Sequence, residues 1–230
     1  MNVTPRIVAH WALLLLVALF SPACWAEVSS EAALSSDRQS SDRQSKQTIG
    51  EPGFDESYRF FQLACANCQN GEQNAASRQI RRSIELLKRE AKHATKKGKQ
   101  ALDRSILELS NLADAVESGA TNSVDELKAA FARSHHALAY HYQQRAADSW
   151  LRQRFKAAGQ DLKAASYEVE YGISWVGEGV QDKTRDTLVA TRKLANGMIH
   201  GAKVDAQQMN SRVKILGQQI RSFGRQAISN

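Results

Sequence analysis

The sequence predicts an all-α protein: an elongated antiparallel bundle of three or four long helices behind an N-terminal tether. Three observations predict it. All prolines lie at or before Pro52, and a proline inside a helix costs roughly 3 kcal/mol. Apolar residues recur at alternating steps of four and three through most of the remaining chain, which is one face of a helix. No stretch alternates apolar and polar residues for long enough to suggest a sheet.

The first 26 residues read as a secretory signal. Arg6 supplies the positive charge, Ile7 to Phe20 is almost wholly apolar, and Ser21-Pro22 breaks the run before Ala23-Cys24-Trp25-Ala26. The apolar run is about 14 residues, short of the roughly 20 that span a bilayer. Cleavage after Ala26 and export to the periplasm are expected. The alternative is a lipoprotein acylated at Cys24, but Ser21 stands where such signals prefer a Leu-like residue.

Residues 27–53 read as a disordered low-complexity linker. The pentapeptide SSDRQ occurs twice in tandem there, among Ser, Gln and charged residues. A helical domain is expected over 54–230. It starts with a short docking helix, 54–68, that carries Tyr58, Phe60, Phe61 and Leu63. Ile80, Ile84, Leu87, Ala91 and Ala94, then Leu102, Ile106, Leu109, Ala113 and Val116, predict a long helix over about 76–118, bent or broken at Gly98 and stopped at Gly119. Ser123-Val-Asp-Glu126 has the form of a capping box. It opens a helix to about 152 with the stripe Val124, Leu127, Phe131, His135, Leu138, Tyr142 and Ala146.

A third helix starts near 157 on Leu162, Ala165, Val169, Ile173, Val176 and Val180, with a break expected near Gly177 and Gly179. The last, about 182–228, carries Leu188, Thr191, Ala195 and Met198, then Met209, Val213, Leu216, Ile220, Phe223 and Ala227 in coiled-coil-like heptads. Gly197 and Gly201 within it mark a close helix contact or a hinge.

The charge is +7 and blocky. Residues 78–104 hold ten basic against three acidic side chains, and 188–230 hold seven against one. Basic faces suit nucleic acid or anionic surfaces. Export disfavours nucleic acid, which leaves an anionic membrane or glycan surface, an envelope protein, or a second copy of the chain through its long helices.

The run from His135 to Gly177 carries a His-rich helix, Trp150, Ala158-Gly159, Leu162, Ala164-Ala165, and Trp175 before Gly177. It resembles a segment of uncharacterised exported bacterial helical-bundle proteins. The part from Trp150 to Ala165 is also similar to one tetratricopeptide hairpin, where a solenoid needs about three. The resemblance implies fold and compartment and no activity.

No catalytic or cofactor motif is present, so the function expected is non-enzymatic: a structural or interaction module of the envelope. The alternative is a ligand- or metal-carrying bundle. Its candidate residues are His135, His141, Trp150, and the ridge Tyr167, Tyr171 and Trp175 at i, i+4, i+8. His136 and His141 lie about 100° and 240° around the helix from His135, so no two histidines share a face. No cofactor is expected. Cys65 and Cys68 lack the following His of a haem attachment site and a second CxxC for zinc. In an oxidising compartment they are expected to form a local disulfide.

Overall fold

The computed structural model describes residues 55–177 and 181–229. The expected signal peptide and the expected linker over 27–53 fall outside them. Among the described residues there are seven helices and no strand: α1 Glu56–Gln69, α2 Gln73–Ala91, α3 Lys96–Glu117, α4 Val124–Leu151, α5 Phe155–Trp175, α6 Asp182–Ile199 and α7 Ala206–Ser229. Consecutive helices pack against each other, and α4 is the hub, touching α1, α3, α5 and α7. None of the described helices is long and apolar enough to cross a membrane.

The expected stripes are the buried ones. Ile80, Ile84, Leu87 and Ala91 of α2, Leu102, Leu109, Ala113 and Val116 of α3, and Leu162, Ala165, Val169 and Ile173 of α5 all face the core. Each large side chain buried in full contributes about 1.5–3 kcal/mol. Helix α4 is buried around most of its circumference. Ala130, Ala132, Ala137 and Ala139 join Leu127, Phe131 and Leu138 in the core. Its many alanines let four helices close in on it.

Two expected long helices are each broken in two. The break after α2 falls at 92–95 and not at Gly98. Thr95 is the N-cap of α3, and its hydroxyl accepts from the Gly98 backbone N–H at 3.2 Å. Gly98 thus sits inside the first turn. The last stretch folds into the α6–α7 hairpin. Gly201 takes φ +84° after α6, and the Gly201 and Ala202 N–H groups donate to Met198 and Gly197 carbonyls. That closure is a Schellman cap. Gly119 ends α3 at φ +73°, as expected, and α5 ends at Trp175. Ser123 caps α4 through the Glu126 N–H at 3.3 Å, but the Glu126 carboxylate accepts from Thr121 instead of closing the box.

Close helix approach rests on small residues of α5. A methyl added at Gly159 would meet the Ala195 carbonyl at 2.7 Å, and one added at Gly172 would run into the Phe223 ring. Helices α6 and α7 are therefore seated on those two positions.

Candidate functional site

The candidate residues do not form one site; α4 spreads them along its length. His135 lies in its middle, buried, with Nδ1 2.6 Å from Glu168 Oε2 on α5. Burial pushes the Glu168 carboxyl up, and the His135 contact only partly offsets that. The two side chains are hydrogen-bonded to each other away from solvent.

Tyr171 and Trp175 join this pair under a lid of aromatic rings from α1. Tyr58 stacks on Tyr171 at 4.5 Å, and Phe61 stacks on Phe131 at 4.1 Å and meets the His135 ring edge-on at 5.3 Å. The Tyr171 hydroxyl donates to Asp55, and burial and that carboxylate push its pKa up. Trp175 contacts Tyr58 and Phe131. The ridge is thus packed by α1 of the same chain. Tyr167 lies beside Tyr171, with the Arg192 guanidinium 4.7 Å over its ring.

His141, two turns on, belongs to a separate network. Its Nε2 is 3.3 Å from Glu90 Oε2 of α2. Arg145 donates to Glu90 at 3.0 Å and to Asp161 of α5 at 2.8 Å, and it lies over the Tyr142 ring. Ser149 donates to the other Asp161 oxygen at 3.4 Å. Burial alone would raise Glu90, but His141, Arg145 and Tyr142 hold it below its ordinary value. Burial wins at Asp161, which stays above its own. One half-buried guanidinium thus ties three helices together. Among the described residues no three His, Cys, Asp or Glu side chains converge as a metal site would require. Three buried ring nitrogens, His135 Nε2, His141 Nδ1 and Trp175 Nε1, have no hydrogen-bond partner among the described residues.

The two cysteines expected to pair stand unlinked in this structure. Cys65 and Cys68 are buried free thiols of α1, and the Cys68 thiol turns to donate to the Asn122 carbonyl at 3.3 Å. Burial pushes Cys65 up to about 11.

Trp150 lies at the far end of α4, and here the chemistry changes. Leu151 is 80% exposed and Phe155 46%. Phe155 meets Trp150 edge-on at 4.9 Å. Around them stand Arg152, paired with Asp148 at 2.9 Å, and Arg154 and Lys156, which have no acidic partner among the described residues. The turn between them is strained. Gln153 holds φ +58°, at the position where glycine usually ends a helix, while Gln153 and Arg154 N–H groups close the cap on Trp150 and Ser149. The α6–α7 turn lies alongside. Trp150, Phe155, Met198, Ala202 and Val204 line a groove of about 370 Å³ with Lys203 at its rim. An adjoining groove of about 520 Å³ adds Lys193 and Arg212.

Leu151 and Phe155 were not expected as site residues. Their signal was local: two large apolar residues enclosing Arg152-Gln153-Arg154 in a turn. Glu168 and Asp161 had a weaker one, as carboxylates beside the small residues Gly172, Ala164 and Ala165 of a buried stripe. No family model, curated protein or solved structure matches the chain.

Proposed function

We propose that this chain is a non-enzymatic interaction module of the cell envelope that docks on an anionic membrane surface through its α4–α5 corner. The observation that carries this reading is the pairing of exposed Leu151 and Phe155 with unpaired Arg154 and Lys156 on a strained turn. Large apolar side chains next to cations suit the headgroup boundary of an anionic leaflet, where the rings enter and the cations meet phosphates. Lys203, Lys193 and Arg212 of the neighbouring grooves extend the same charge. A non-glycine residue held at positive φ costs about 1 kcal/mol, and strain of that kind collects at working surfaces.

Sedimentation with phosphatidylglycerol-containing vesicles tests it. The secreted chain should pellet with them, lose binding as salt rises, and leave neutral vesicles alone. Leu151→Glu/Phe155→Glu should abolish pelleting. Retained pelleting in that variant would overturn the proposal. So would a concentration-dependent dimer in solution that the variant dissolves, because the corner would then serve a second copy.

The unpartnered His135 Nε2 and His141 Nδ1 favour one second reading, a bundle that carries a metal or small ligand. Elemental analysis and a visible spectrum of protein from its own host test that reading directly. A colourless, metal-free preparation removes its support.

A further inference from the structure

A second surface, distinct from the corner, has been left open by the packing. Helices α3, α4 and α7 enclose a groove of about 550 Å³. Each helix lines it with a stripe of one turn-and-turn-again spacing: Lys97 and Arg104 from α3, His136, Tyr140 and Gln143 from α4, and Arg221 from α7. Its lining contains no acid. Nearby cations are neutralised, Lys99 by Asp103 at 2.9 Å and Arg133 by Glu108. Lys97, Arg104 and Arg221 have no acidic partner among the described residues.

The positions of these cations follow from the helix directions. Gly98 lies against His141 and Ser105 donates to Ser134, so α3 runs antiparallel to α4. Gln143 donates to the Val213 carbonyl and Arg133 to that of Ala227, so α7 does too. Lys97 and Arg104, seven residues apart, are separated by about 10 Å along the axis. Arg221 faces them from the opposite wall, between their two levels. The floor mixes apolar Ala101 and Ile220 with polar side chains that are closely fitted. Gly217 and Gly224, also seven apart, lie directly against Gln143 and His136, and a methyl at either position would run into those side chains. Gln143 is buried, and its amide keeps a second hydrogen to donate.

We infer that this groove binds a linear oligophosphate group, two or more phosphoryl units in a row. Three unneutralised cations spread over about 10 Å ask for several negative charges along a line, which a single carboxylate or orthophosphate does not supply. Guanidinium forks match phosphoryl oxygens in geometry, and Tyr140 and Gln143 offer neutral donors between them. The same chemistry occurs in a free oligophosphate and in a lipid-linked diphosphate.

Calorimetric titration of the secreted chain with sodium tripolyphosphate, at about 150 mM salt to screen diffuse attraction, tests the inference. One tripolyphosphate should bind per chain, more tightly than orthophosphate. Arg104→Glu and Arg221→Glu should each weaken it by about tenfold or more, as loss of a charge-assisted pair does. Arg78→Glu, an equal charge change on exposed α2, should change it by no more than about twofold. Unchanged melting temperatures would show that the variants fold. Equal weakening by Arg78→Glu, binding of several equivalents, equal affinity for orthophosphate, or no binding would each overturn the inference. Phosphatidylcholine vesicles carrying a polyprenyl diphosphate, offered to the Leu151→Glu/Phe155→Glu chain, separate the sources. Pelleting that Arg104→Glu removes identifies a lipid-linked ligand, and its absence alongside tripolyphosphate binding identifies a free one. Because this arm lacks the corner, failure of the groove and failure of the membrane proposal stay distinguishable.

Discussion

The middle and the end of α4 are built on opposite rules. Around His135 and His141 the charged groups are paired and the apolar faces are covered: Arg145 holds Glu90 and Asp161, and Tyr58 and Phe61 close over the His135–Glu168 pair. Six residues beyond Arg145, Leu151 is in solvent, and cations nearby stand without acids. The difference separates what holds the fold from what is free to meet something else. The residue types that attract attention in the sequence, histidines and an aromatic ridge, serve mainly the first purpose. The less conspicuous turn is the part left exposed.

The contrast can be broken at the middle first. Arg145→Met strands the buried Asp161 carboxylate and should cost about 3–5 kcal/mol, read as a lower urea midpoint. Gly172→Ala should cost about 1–3 kcal/mol, because Phe223 must leave its seat and α7 with it; the same denaturation curve reports it. Glu168 gives a signature in pH. Burial holds its folded value above 4.5, so the folded chain keeps that proton to higher pH than the unfolded chain. The stability contributed therefore falls as pH rises from 4.5 through the raised value. Glu168→Gln removes this slope, and its melting temperature should gain on the wild type's as pH rises through that window. A gap that narrows instead would place Glu168 below its ordinary value.

At the end of α4 the stability effects should be small. Gln153→Gly relieves the positive φ and should stabilise the fold by up to about 1 kcal/mol. Leu151→Glu/Phe155→Glu should leave stability within about 0.5 kcal/mol, while vesicle binding is lost. A large destabilisation by the double variant would mean that the corner is packed and not presented.

The helical class was legible because the 4-3 spacing and the lack of proline act locally. So were the Ser123 cap and the Gly119 stop. Two breaks were misplaced or missed for a physical reason. Glycine at 98 looked like the interruption, yet Thr95, with a hydroxyl able to cap the N–H three residues on, was the true one. Gly201 could read as a mid-helix hinge until the hairpin buried Met198 and Met209 on one core. The partners of His135 and His141 were not legible at all. Glu168 and Glu90 lie 33 and 51 residues away in sequence, and only tertiary packing brings them near. The α1 lid over the ridge was hidden for the same reason.

Amide hydrogen exchange with and without phosphatidylglycerol vesicles tests the division between core and working surface most directly. Added protection confined to residues 150–156 and 200–204, with the His135–Glu168 region unchanged, is the predicted result. Protection centred on α1 and the middle of α4, with the corner unaffected, would contradict it.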